Sequence, residues 1–217
     1  MSRALKDLLY EHVARVGKAL SSPKRLELLE LLAQGEKTVE ILANEASIDI
    51  KLASAHLRVL KYSRLVGSRR EGRFIIHYLA DENVATLWAT LHTVATERQV
   101  ELQVALENIT SGPERLTAET RLSLFNKAKQ GKVIVLDVRP AAEYQAAHLP
   151  YARSIPLIEL KRRLAELPKN KEIVAYCRGP FCLMSGEAVA LLKKRGYKVS
   201  KISDGVAEWA AAGLPVE

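Results

Sequence analysis

The chain has 217 residues, of which 48% are hydrophobic and 27% charged. That is room for one large or two small globular domains, and too apolar for a mostly disordered chain. Lys+Arg number 33 against Asp+Glu 25, a formal charge of +8, which points first to an anionic partner such as nucleic acid or a membrane surface. No run of about 18 apolar residues occurs, so no membrane span is expected. The first twenty residues, MSRALKDLLYEHVARVGKAL, mix charges throughout, unlike a secretory leader, and a cytoplasmic location is expected. Two cysteines, Cys177 and Cys182, argue against a disulfide framework and cannot make a four-thiolate zinc site.

In chain order, Leu5, Leu8, Leu9, Val13, Val16 and Leu20 recur at helical spacing and predict a helix over 5–20. Ser22-Pro23 opens a second helix, 23–33, because Ser caps free N–H groups and Pro at the first position loses no bond. Its inward residues are expected to be Leu26, Leu29, Leu32 and Ala33, and Gly35 stops it. A short helix over about 38–45 follows, then Asp49 caps a helix over 50–62. Leu65 to Leu79 reads as a hairpin turning at Glu71-Gly72. A long helix is predicted over about 82–109, and Thr110-Ser111-Gly112-Pro113 is linker chemistry. Beyond it, Val133–Val138, Ile173–Tyr176 and Val199–Ile202 are short apolar runs, with a helix over 184–195 between the last two. Strands alternating with helices predict an open parallel sheet. The expected domains are therefore 1–110, a mainly α winged helix-turn-helix, and 111–217, an α/β domain with an open parallel sheet.

Three short helices and a hairpin place the 50–62 helix in a major groove. Ala53, Leu57 and Leu60 should face the core, leaving Lys51, Leu52, Ser54, Ala55 and Arg58 on the outer face. Small residues there let the backbone approach base edges, while Lys and Arg supply phosphate or guanine contacts. Arg69, Arg70 and Arg73 flank Gly72, a basic tip suited to a backbone or a minor groove, or else simply a solvated hairpin. Ser22-Pro23-Lys24-Arg25-Leu26, Ser54-Ala55-His56-Leu57-Arg58-Val59-Leu60, Leu65-Val66 and Arg69-Arg70-Glu71-Gly72-Arg73 together resemble an ArsR-type repressor over about residues 5–105. The resemblance implies a double-stranded DNA operator and a homodimer built by the first and last helices of this domain. Members of that family often sense metals through cysteines on the third helix or clusters on the last. Here Thr38 and Glu40 stand in the first place and a lone His92 in the second, so no metal site is expected.

In the second half, Cys177 directly follows an apolar strand, and Cys177-Arg178-Gly179-Pro180-Phe181-Cys182 feeds a helix. Sites on open α/β sheets form beyond the carboxyl ends of strands, and a helix N-terminus stabilises a thiolate. Arg178 adds positive charge, which favours Cys177 as a nucleophile able to carry an anionic group such as a persulfide sulfur.

Asp137-Val138-Arg139, Glu143-Tyr144, His148-Leu149-Pro150-Tyr151-Ala152, Tyr176-Cys177-Arg178-Gly179 and Asp204-Gly205-Val206-Ala207-Glu208-Trp209 resemble the rhodanese family over about 115–217. The resemblance implies that Cys177 takes sulfane sulfur from a small donor such as polysulfide or persulfide, and that loop N–H groups, Gly179, Phe181 and Leu183 among them, cradle it. Pro180 has no N–H to offer. No cofactor is implied. The loop arginine usual about five residues after the cysteine is replaced by Cys182, which disfavours phosphate chemistry and a thiosulfate donor. Cys182 reads either as a small buried apolar residue or as a resolving thiol. Asp137, Arg139 and Glu143 are expected to form a structural ion pair and strand-end cap, and Trp209 to be core. Two functional readings stand: a regulator whose rhodanese domain senses or transfers sulfur, and a sulfurtransferase tethered to a DNA-binding module.

The charge itself divides unevenly. Residues 1–110 hold 15 Lys+Arg against 14 Asp+Glu, and residues 111–217 hold 18 against 11. What supports DNA binding is local: Lys51 to Arg73 contain seven basic residues and one acid.

Overall fold

A computed structural model of the protein describes residues 3–110 and 118–217. Contacts divide the chain into two compact units, Met1–Trp88 and Ala89–Glu217. The linker expected around 110–113 falls almost wholly outside the described residues.

The first unit runs α1 (Arg3–Leu20), α2 (Pro23–Ala33), β1 (Lys37–Thr38), α3 (Val39–Glu45), α4 (Ile50–Tyr62), β2 (Val66–Glu71) and β3 (Phe74–Leu79). Pro23 opens α2 as expected, although the Ser22 side chain makes no cap hydrogen bond. Asp49 accepts from Leu52 N–H at 2.8 Å and so fixes the start of α4. Gly72, at φ 59°, turns the hairpin, but the turn is Gly72-Arg73, one position later than expected, because Glu71 still pairs with Phe74. β2 and β3 pair antiparallel, and β1 adds a third strand on β3 through Lys37↔His77 and Thr38↔Ile76. A two-residue strand carries no periodicity, which is why the sequence reading lacked it.

The core gathers Leu28, Leu29, Leu32, Leu42, Leu57, Leu60 and Leu65. On α2 it takes Leu28, Leu29, Leu31 and Leu32 and leaves Leu26 and Ala33 half-buried, which corrects the inward set. The reason is that α2 touches α1, α3, α4 and β3, so it is enclosed on several sides and no single stripe defines its buried face. Leu5, Leu8, Leu9 and Val13 of α1 stand exposed, while Val16 and Leu20 pack on the core.

The predicted 82–109 helix is two helices, α5 (Glu82–Arg98) and α6 (Val100–Thr110), with a break at Gln99. Across the break the Gln103 side-chain amide donates to the Thr96 carbonyl at 2.7 Å. That local competition has no sequence period to betray it. The side chain of Ile109, at the end of the predicted helix, lies outside the described residues.

There follow α7 (Ala118–Lys129), β4 (Val133–Asp137), α8 (Ala141–Ala146), β5 (Arg153–Ser154), α9 (Leu157–Leu160), β6 (Glu172–Tyr176), α10 (Met184–Lys194), β7 (Val199–Lys201) and α11 (Val206–Ala211). The sheet order is β5-β4-β6-β7, all parallel. Both faces are covered. Ile173, Leu136 and Val199 pack with Ala188 and Leu192 of α10, while Val133, Val135, Val174 and Tyr176 pack with Leu124 and Trp209. Burial on both faces is why these strands read as continuous apolar runs. Among the described residues no helix is long and apolar enough to cross a membrane.

Candidate functional site

On α4 the alternation is as the pattern requires. Ala53, Leu57 and Leu60 are buried, whereas Lys51, Leu52, Ala55 and Arg58 are exposed and Ser54 is half-buried. His56 is half-buried; burial first, then the Arg25 cation, lowers its pKa below the ordinary histidine value. The three hairpin arginines differ in their surroundings. Arg69 is held by Glu36 and also reaches Glu71 at 3.5 Å. Arg70 Nε donates to the Gly72 carbonyl at 3.2 Å, and the Arg73 guanidinium lies 4.8 Å over the Phe74 ring. All three side chains stay exposed.

In the second unit, β6 runs between β4 and β7, so Cys177 leaves the sheet from the carboxyl end of a central strand. The loop turns on Gly179, at φ 152°, and Cys182 N–H closes it onto the Gly179 carbonyl at 3.1 Å. Cys177 is 2% exposed. Its Sγ lies 3.6 Å from the Cys182 carbonyl oxygen and 3.4 Å from Ser185 Oγ in the first turn of α10. The N–H groups of Gly179 and Ser185 also turn to this sulfur. Gly205 seats the start of α11 against the loop: a Cβ there would stand 2.3 Å from the Arg178 carbonyl oxygen and 2.9 Å from that of Cys177. No side chain fits that approach.

Burial pushes the Cys177 thiol up, yet the hydrogen bonds from Cys182, from the Ser185 hydroxyl and N–H and from Gly179 N–H outweigh it and bring the group down to about 7. Cys182 moves the opposite way, raised by the hydrogen bond that its S–H donates to Cys177 and by its own burial. One sulfur thus favours the thiolate while its neighbour stays a thiol. Below the loop, the Glu208 carboxylate oxygens lie 3.3 Å from where a Cβ on Gly179 would stand. Burial pushes this carboxyl up to about 7 against the N–H groups of Gly205 and Glu208, with the charges of Asp204 and Cys177 adding to the rise.

Arg178 is turned to Glu143, with hydrogen bonds of 2.6–3.1 Å. The expected ion pair at the end of β4 is present between Asp137 and Arg139, both buried, at 2.6 Å. Glu143 serves Arg178. Tyr176 donates to Asp137 and accepts from Leu149 N–H, tying the strand end to the next loop. Trp209 is core, and its indole N–H donates to Pro215 O at 3.0 Å. Phe181 and Leu183 present exposed side chains at the rim of the loop.

Comparison with known proteins follows this division. The model of bacterial regulatory proteins of the arsR family matches residues 22–68, and that of the rhodanese-like domain matches 121–212. The chain is 45% identical to the HTH-type transcriptional regulator Rv0324 of Mycobacterium tuberculosis, over 98% of this chain and 93% of that one. This chain belongs to the ArsR family of regulators and carries a C-terminal rhodanese domain. The rhodanese part is 34% identical to a sulfurtransferase of Allochromatium vinosum over 39% of this chain and 78% of that protein. The winged helix resembles the homodimeric DNA-binding domain of Mb0332 from Mycobacterium bovis, at TM-score 0.44 and 44% identity, over 46% of this chain and 93% of that one.

Three residues that bear on Cys177 were given no role by the sequence: Ser185, Lys201 and Glu208, the last quoted only within the Asp204–Trp209 motif. Ser185 stands eight positions after Cys177, and the first turn of the following helix was the signal that could have found it. Glu208 and Lys201 come from later elements, and only the sheet order brings them to this end of the domain.

Proposed function

We propose that this ArsR-type regulator binds an operator as a homodimer and uses its rhodanese domain to take sulfane sulfur onto Cys177, with that modification shifting DNA binding. The observation that carries the reading is the contrast between the sulfurs: Cys177 is cradled by donors and brought down to about 7, while Cys182 is held as a thiol beside it.

The Cys177 thiolate attacks the outer sulfur of a small donor such as polysulfide or persulfide. A new S–S bond forms, the donor's own S–S bond breaks, and its electron pair leaves with the shortened donor. Gly179, Phe181 and Leu183 belong to the backbone cradle, and Arg178 acts through Glu143 as a positioning residue for the loop. Cys182 acts as the resolving thiol. Its sulfur attacks Cys177 Sγ, closes a disulfide and releases the outer sulfur with the bonding electron pair as hydrosulfide, HS⁻, which takes the Cys182 proton. No external oxidant is needed.

Lys51, Leu52, Ser54, Ala55 and Arg58 of α4 form the groove-facing surface, and Arg69, Arg70 and Arg73 the wing. The exposed Leu5, Leu8, Leu9 and Val13 of α1 fit the dimer contact that the Mycobacterium bovis relative, described as homodimeric, suggests. A regulator that meets its operator in this way works in the cytoplasm. The switch requires that modified and unmodified protein differ in their preference between two states of the dimer.

Operator binding by fluorescence anisotropy tests this, with and without polysulfide, for the wild type and Cys177→Ser. A shift with polysulfide only in the wild type is expected; four identical curves overturn the switch. The similarity to a sulfurtransferase favours one second reading, a turning-over enzyme indifferent to DNA. Cyanide-accepting turnover of the full chain at equal rates with and without operator is its signature.

A further inference from the structure

We propose that Lys201 is the cation of the Cys177 site, and that it makes the site select small anionic electrophiles, polysulfide anions among sulfur donors, over neutral ones. This rests on the reading of Cys177 as the nucleophile.

The sheet places the two side chains together. β7 lies beside β6 in parallel register, with Lys201 opposite Ala175. Side chains two apart share a face, so Ile173, Ala175 and Cys177 leave from one face of β6, and Val199 and Lys201 from the same face of β7. That face is the one α10 covers, since Ile173, Cys177 and Val199 share a core with Ala188 and Leu192. Lys201 is the last residue of β7, at the same carboxyl end from which Cys177 departs. Its Nζ lies 3.5 Å from where a Cβ on Gly186 would stand. Gly186 neighbours Ser185, whose hydroxyl is 3.4 Å from the Cys177 sulfur. The ammonium therefore lies over the first turn of the helix that receives the thiolate. Burial lowers the Lys201 pKa, and the charge of Cys177 works against that lowering.

The chemistry of the loop gives this cation its importance. Cys182 occupies the place of the loop arginine, and Arg178 is engaged by Glu143. Among the described residues, the other groups that bear on the sulfur, Ser185, Cys182 and Glu208, bring no positive charge. An anionic donor approaching an anionic thiolate meets repulsion that a fixed ammonium offsets, and a neutral donor gains nothing from it.

The test uses the full chain and two alkylating probes that differ chiefly in charge, iodoacetate and iodoacetamide, with modification of Cys177 followed by peptide mass. In Lys201→Met the iodoacetate-to-iodoacetamide rate ratio should fall about fivefold, a size set by one partly screened charge. Lys201→Arg should restore it. In the wild type, added salt should slow iodoacetate and leave iodoacetamide unchanged, a measurement that does not depend on a variant folding. Loading of sulfur from polysulfide should fall in step with the iodoacetate rate. A ratio in Lys201→Met equal to wild type, or a wild-type ratio indifferent to salt, overturns the role of Lys201 alone. Failure of Cys177 to react with either probe overturns both this inference and the reading of Cys177 beneath it.

Discussion

Glu143 grips the Arg178 guanidinium with hydrogen bonds to both of its carboxylate oxygens, and its own side chain is 1% exposed. The residue after Cys177 is thereby pinned to α8, across the sheet end from its own strand. Removing the guanidinium leaves a buried carboxylate without this partner. Arg178→Ala should therefore cost about 3 kcal/mol. Arg178→Lys, which keeps the charge and loses the fork, should cost less. Urea denaturation of the full chain measures both. Equal stability of Arg178→Ala and wild type would show that the pair does not hold the loop.

The donors around Cys177 set its reactivity with pH. The iodoacetamide rate at this residue should rise with pH as the thiolate forms, reaching half its plateau near 7. Ser185→Ala removes one donor to the sulfur, and its midpoint should move up by roughly one unit. A wild-type midpoint at the free-thiol value of about 8.5 would contradict the cradle.

Glu208 makes the stability of the domain pH-dependent. Its folded value is pushed up to about 7, whereas an unfolded Glu titrates near about 4.3. The protonated carboxyl contributes fully below the unfolded value, and that contribution is lost as pH rises through the folded one. Wild type should therefore lose roughly 2–3 kcal/mol relative to Glu208→Gln between about pH 4 and about pH 8. Urea titrations at the two ends check it, and a difference that does not change with pH would refute the shift.

On the DNA side, Lys51→Ala and Arg58→Ala should each reduce the salt slope of binding to a random-sequence duplex by about 1. Arg69→Ala should reduce it less, because Glu36 already neutralises that guanidinium. Anisotropy titrations over a salt series measure all three. Equal slopes for Arg69→Ala and Arg58→Ala would show that the Glu36 pair opens on DNA.

Sequence by itself determined the two folds, the outer face of α4, the turn at Gly72 and the position of Cys177 at a strand end. Each is written in local signals: caps such as Asp49, the period of Ala53, Leu57 and Leu60, and the apolar runs of strands buried on both faces. Tertiary structure alone decided the rest. It engaged Arg178 with Glu143, 35 residues earlier, added β1 to the wing and enclosed α2 beyond one stripe. It also brought Glu208 and Lys201 to the cysteine loop. The overall charge of +8 gave no access to these, because net charge sums over the chain while a site depends on which charges the sheet order brings within a few ångströms.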